Sequence, residues 1–151
     1  MDEDGFWRLI ESFDWEMTGD DKAVVEPAVS ALAALPIEDI ERFEEILAEK
    51  LYLLDTKAHA KEIGEAAYRE GSGFSSDEFL YSRCVVVANG RKYFEAVLAN
   101  PRAMPKDMEF ESLLYVARVW AHERQTGEPL EHATRVSYET FSNRQGWEIK
   151  D

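Results

Sequence analysis

Apolar side chains recur along this chain at the three- and four-residue spacing of an α-helix, block after block. Phe6, Leu9, Ile10, Phe13 and Met17 form the first block, with Asp2 or Asp4 available as N-cap and Gly19 beyond its end. Val24, Val25, Ala28, Val29 and Leu32 form the second. Pro27 is expected to mark the first turn of that helix or to bend it, because a proline deep in a helix removes a hydrogen bond. The clearest block opens at Pro36, a residue tolerated at the first helical position, and sets Ile40, Phe43, Leu47, Leu51 and Leu54 on one stripe. Glu38, Asp39, Glu41, Glu44, Glu45 and Glu49 are expected on the other side, the earliest of them complementing the helix dipole. Asp55-Thr56 reads as a break, and a further amphipathic stretch follows through Ala58, Ile63, Ala66, Ala67 and Tyr68.

Gly71-Ser72-Gly73 is turn chemistry. Ser75 with Glu78 three residues on then forms a capping-box pattern ahead of a helix from Asp77 to Ala88. This segment is apolar nearly all round, which predicts a central, buried element. Its valine run has strand propensity, but the cap before it and the Asn89-Gly90 stop after it favour helix. A short helix is expected from Arg91 to Ala99, then a loop bounded by Asn100-Pro101 and Pro105. Asp107 is expected to cap a long helix with Phe110, Leu113, Leu114, Ala117, Trp120 and Ala121 on one stripe, ending at Gly127 before Pro129. Tyr138 to Trp147 has mixed aromatics without a clean period and reads as a short helix or an extended strap. The prediction is an all-α, single-domain bundle of about six or seven helices with a central buried helix, spanning residues 1–151. Neither a repeat nor a linker divides it.

Charge narrows the function classes. Seventeen Lys+Arg against thirty-one Asp+Glu give a formal charge of −14 on 151 residues. Such a field repels phosphate backbones and anionic membrane surfaces, so nucleic acid and membrane partners are not expected, and a basic protein is. The plain reading of the same charge is solubility. Cys84, the single cysteine, lies in the run Cys84-Val85-Val86-Val87 and has no partner for an intramolecular disulfide. A buried thiol in a reducing cytoplasm is the expectation. The N-terminal MDEDGFWRLIE lacks the basic start and apolar stretch of a signal peptide, and no window is apolar enough to span a membrane.

Catalytic chemistry leaves no motif. The three histidines, His59, His122 and His132, occur outside any His-Glu-x-x-His pattern. His122-Glu123 and Glu131-His132 could meet in space as metal ligands, but surface histidines are the plainer reading, and no metal or cofactor is expected. A Gly-x-Ser-x-Gly elbow is absent, and the glycines around Ser72 lack the Lys of a phosphate loop. One constellation stands out. Arg83 falls inside the apolar helix with Asp77, Tyr81 and Asn89 nearby in the chain. Burying a guanidinium costs several kcal/mol unless an anion meets it. Either an internal ion pair forms, with Asp77 or a glutamate of the last helix, or Arg83 lines an anion-recognising pocket with Tyr81 and Asn89. Among the four tryptophans, Trp15 and Trp147 are the expected interface aromatics.

The blocks Phe6-Trp7-x-Leu9-Ile10-Glu11, Leu35-Pro36-x-Glu38-x-Ile40 and Ser76-Asp77-x-Phe79-x-Tyr81-x-Arg83, with Gly90 ending the helix, resemble the bacterial family called domain of unknown function 4240. The resemblance covers most of residues 5–101, leaving the long helix and tail of 107–151 outside it, and the central block is its specific part. Cys84-Val85 departs from the family pattern, which typically has a bulky aromatic there. The resemblance implies a helical fold, places Asp77 and Arg83 in the family signature and implies no established activity.

Two functions follow as expectations. The first is a cytoplasmic interaction or regulatory module binding a basic partner, an immunity-like or antitoxin-like inhibitor being one instance. The second is a small-molecule binder or enzyme with a pocket around Arg83, Asp77 and Tyr81, with His59 or His122 as acid or base.

Overall fold

The computed structural model describes residues 1–148. Helices dominate, as the periodicity predicts, and a two-stranded hairpin is the sheet content of the described residues. The chain forms two compact units, each drawn from two stretches of sequence: residues 1–47 with 111–135, and residues 48–110 with 136 onward.

In the first unit, α1 (Glu3–Ile10) starts where the Asp2 carboxylate accepts the Gly5 N–H at 2.8 Å, filling one of the orphan donors of the first turn. It buries Phe6, Trp7 and Ile10. A 3-10 turn, Trp15–Met17, follows. Helix α2 (Asp21–Ala33) starts earlier than expected from Pro27, because Asp20 caps it through the Ala23 N–H at 3.2 Å. Pro27 therefore lies inside the helix, exposed, rather than in its first turn. Val24, Val25, Ala28, Val29 and Leu32 are buried as the pattern requires.

Helix α3 (Ile37–Leu53) contributes residues to 47 to the first unit and its remaining turns to the second. Ile40, Phe43, Leu47, Leu51 and Leu54 are all without solvent exposure. The Phe43 ring meets Phe6 at 4.8 Å between centroids. Glu44 corrects the expected polar side: it is fully buried. It stands four residues after Ile40 and three before Leu47, on the apolar stripe itself.

The stretch after residue 110 is also helical, but not as one regular helix capped by Asp107. It winds as a 3-10 segment over Glu111–Tyr115, as a π segment over Val116–Ala121 and as an α-helix only over His122–Thr126. Asp107 does not cap it: the winding starts only at Glu111, the Asp107 carboxylate is turned over Gly64, and its backbone is held at φ 54° by a bond from its N–H to the Ile63 carbonyl at 2.8 Å. The changes of winding shift the stripe: Val116 joins Leu113, Leu114, Ala117 and Ala121 in the core, and Trp120 is half-buried.

In the second unit, α4 spans only Lys57–Ala60, so the expected amphipathic stretch to Tyr68 is short and gives way to turns. Strands β1 (Tyr68–Arg69) and β2 (Gly73–Phe74) pair antiparallel around the Gly71-Ser72-Gly73 turn, Tyr68 opposite Phe74. Helix α5 (Ser76–Ala88) opens as the sequence predicts, with the Ser75 hydroxyl accepting the Glu78 N–H at 3.2 Å. Every residue from 82 to 88 is buried, so the apolar run is helix and central. Gly90, at φ 101°, takes a conformation closed to side chains and lets α6 (Arg91–Ala99) begin at once. Phe94 and Val97 are buried from α6. Beyond residue 135 the described chain is a strap of turns. No helix of the described residues is long and apolar enough to cross a membrane.

Removing one of the fully buried rings should be expensive. Phe43→Ala is expected to lower stability by about 3–5 kcal/mol in urea denaturation, and Tyr93→Ala, at an exposed ring, by less than about 0.5 kcal/mol.

Candidate functional site

Arg83 is the largest side chain in the molecule without solvent exposure. Helix α5 carries it inward because residues 79, 80 and 82–88 on every side of it are buried. Its Nη1 donates to the Leu51 carbonyl at 2.8 Å and its Nη2 to the Thr140 hydroxyl at 3.0 Å. Leu51 lies in the last turn of α3, where carbonyls lack intrahelical partners and carry the negative end of the helix dipole. The guanidinium carbon sits 4.6 Å from the centre of the Phe79 ring, one turn earlier. Burial lowers the Arg83 pKa to about 10, and the attraction of Asp55 is the chief force opposing that shift.

Asp55 is the second centre. It is fully buried at the end of α3, where the sequence shows only a break. Its carboxylate accepts the Phe141 N–H at 3.2 Å, the Asn143 N–H at 3.0 Å and the Trp147 indole N–H at 2.7 Å. The strap closes around it: the Asn143 side chain donates to the Tyr52 carbonyl and the Lys57 N–H to the Gly146 carbonyl. Trp147 stacks on Phe74 at 5.7 Å with planes 6° apart, edge-on to Phe79 and against Phe141. Thr140 joins both ends, accepting from Arg83 and donating to the Ser76 carbonyl at 2.8 Å. The arrangement is a locked polar core with a buried cation met by a carbonyl, a hydroxyl and a ring.

The other residues singled out in the sequence are not gathered around Arg83. Asp77 is exposed in the first turn of α5, Tyr81 is half-buried and offers its carbonyl to the Phe110 N–H, and Asn89 is exposed past the far end. The Asn89 side chain donates to the Val85 carbonyl, closing the helix. Asp77 and Asn89 are thus separated by the length of α5, roughly 18 Å at 1.5 Å per residue. Trp147 is half-buried in the aromatic group described above, and Trp15 is 40% exposed on its 3-10 turn, edge-on to Phe13.

The first unit holds a separate charged group that the sequence did not single out. Buried Glu44 pairs with Arg118 of the π segment at 3.0 Å. Burial raises the Glu44 pKa and Arg118 only partly opposes it. His132 bridges Glu41 at 3.2 Å and Glu45 at 2.9 Å, and the Arg135 N–H donates to Glu45. Burial pushes the Glu45 pKa up, but the bonds from Arg135 and His132 bring it below its ordinary value. The π winding gives Arg118 its place facing α3, and only the stripe position of Glu44 hinted at this pair. Among the described residues, no group of three or more His, Cys, Asp or Glu side chains is arranged to hold a metal ion. His122 is turned to the Glu128 carbonyl at 2.6 Å.

His59 is buried in the second unit, with Nε2 2.9 Å from the Val97 carbonyl and Nδ1 2.7 Å from the Thr56 hydroxyl. A carbonyl can only accept, so Nε2 carries the proton and Nδ1 accepts from Thr56. Burial lowers its pKa, and the neutral ring serves as a strut.

These features define a mostly helical, strongly acidic protein whose buried ionisable groups are engaged by their neighbours. The chain belongs to the protein family of unknown function DUF4240, whose model matches residues 1–122. No curated protein and no solved structure gives a significant match to it.

Two outcomes test the polar core. Asp55→Ala leaves three donors without an acceptor and Arg83 without the carboxylate that attracts it most strongly, and should cost about 3–5 kcal/mol while shifting Trp147 emission toward water-exposed wavelengths. His59 is held neutral in the fold while the unfolded chain takes up a proton, so stability should fall on acidification through the ordinary histidine range. His59→Gln should flatten that slope between about pH 7 and about pH 5 in urea titrations.

Proposed function

We propose that this chain is a protein-interaction module that captures a basic protein, an inhibitor of a basic toxin being one instance. Charge distribution supports the reading. Residues 1–47 and 111–135 hold eighteen acidic and six basic side chains, a formal −12, and the rest of the chain is nearly balanced at −2. A field concentrated in this way accelerates encounter with a cationic partner.

The observation that carries the proposal lies between α1 and α2. From Arg8 to Lys22 there is no basic residue, and Glu11, Glu16, Asp20 and Asp21 are exposed there. Within this acidic stretch stand Trp15 at 40% and Met17 at 45% exposure, two of the most exposed large apolar side chains of the described residues. An aromatic anchor flanked along the chain by exposed carboxylates suits an interface with an apolar centre for affinity and charged neighbours for steering and discrimination. A pocket centred on Arg83 finds no support in the geometry, because that side chain is enclosed and its neighbours in sequence are dispersed along α5.

The test is affinity capture at low salt, then reconstitution with the purified recovered protein and stopped-flow association. A basic partner is expected whose association rate falls at least about tenfold between about 20 mM and about 300 mM salt. Trp15→Ala should weaken the complex by about tenfold or more, mainly through faster dissociation. Recovery of no basic protein, or an association rate indifferent to salt, overturns the proposal.

A further inference from the structure

The strap around Asp55 is fastened by hydrogen bonds rather than by apolar burial. None of residues 136–148 is buried, Trp147 included, whereas every α5 residue from 82 to 88 is. Segments with few buried apolar contacts open at lower free energy than the core they rest on. We propose that residues 136–148 form a lid that opens while the rest of the second unit stays folded. The cradle it uncovers is then a receptor for the indole of a tryptophan-bearing segment from another protein.

Strain in the lid favours opening. Phe141 at φ 77° and Glu148 at φ 56° stand in the left-handed region without being glycine. A bulky residue such as Phe141 adopts that conformation only when its surroundings impose it, and here its N–H is held by the Asp55 carboxylate at 3.2 Å. The lid also seats closely: a Cβ on Gly146 would stand 2.8 Å from the Asp55 carbonyl oxygen. Lifting it leaves the interior paired. Arg83 loses the Thr140 hydroxyl but keeps the Leu51 carbonyl and the Phe79 ring, neither of which belongs to the lid.

Trp147 shows what the cradle selects. Its indole N–H donates to the Asp55 carboxylate at 2.7 Å, its ring stacks on Phe74 with planes 6° apart, and Phe79 meets it edge-on at 6.0 Å. The stacked Phe74 ring calls for a flat aromatic guest. The carboxylate rejects a ring without an N–H, because its oxygen would lose a partner in a site closed to water. The remaining acceptor positions of Asp55 are filled by the Phe141 and Asn143 backbone N–H groups, so an indole carried on a peptide can reproduce the whole set. This receptor does not rest on the acidic stretch around Trp15.

Native-state hydrogen exchange on the full chain tests the opening. The Phe141 and Asn143 amides and the Trp147 indole N–H should share one protection factor, about a hundredfold or more below that of the Val86 and Val87 amides, and depend less on urea. N-acetyl-tryptophanamide added to the same chain tests the receptor. A guest that binds only the open form raises its population, so at about 20 mM the lid protons should exchange about threefold or more faster with α5 unchanged. The 1-methylindole derivative of that compound, which has no ring N–H, should leave them as they were. Trp147→Gly vacates the seat and should bind free indole about tenfold or more tightly than 1-methylindole. Should that variant not fold, the two measurements on the parent chain decide. Lid protons that exchange only with global unfolding, lid exchange indifferent to N-acetyl-tryptophanamide, or methylated compounds acting as strongly as their parents would overturn the proposal.

Discussion

A guanidinium without access to water constrains everything packed around it in the second unit. Arg83 enters the interior because α5 is buried along its length, and the charge must then be accommodated by whatever surrounds it. The loss of hydration is large enough to pull its pKa down to about 10, so the interior leaves the cation at a disadvantage even with its partners in place. Those partners come from three separated parts of the chain: the last turn of α3, the ring of Phe79, and Thr140 in the strap. Asp55 completes the balance at a distance and binds the strap directly through three N–H groups. Arg83 thus organises the interior around it.

The fold was legible in the sequence where one physical rule acted alone. Apolar spacing placed α3, α6 and the start of α1, although α1 ends at Ile10 and the expected continuation through Phe13 to Met17 is a turn and a separate 3-10 segment. Ser75 and Gly90 bounded α5, and Gly127 ended the last helix. It failed where tertiary bonds overrode local preference. Asp107 looks like a cap, but the Ile63 carbonyl claims its backbone, and the following helix starts late and winds irregularly. Pro27 does not mark the first turn of α2, because the cap at Asp20 starts the helix ahead of it. The surroundings of Arg83 were only half visible: its burial followed from the run Cys84 to Val87, but its partners are 32 and 57 residues away and left no local trace. Glu44, expected on the polar side, is in the core, where its spacing from Ile40 and Leu47 already puts it.

Charge is used in two different ways. In the first unit it is plentiful and mostly at the surface, and the exception is buried Glu44, which pairs with the partly exposed Arg118. In the second it is sparse in net terms, so its placement matters more, and Arg83 and Asp55 lie inside. The abundance of carboxylates therefore says little by itself about any one of them.

Each unit is woven from an early and a late stretch of the chain, which sets the order in which the molecule can form. When the first 47 residues leave the ribosome, the segment that completes their core, from residue 111 on, has not been made. Residues 48–110 wait in turn for the strap that caps Asp55. Native packing is postponed until these late stretches have been made, and a nascent chain halted near residue 110 would present both half-built interiors to chaperones at once.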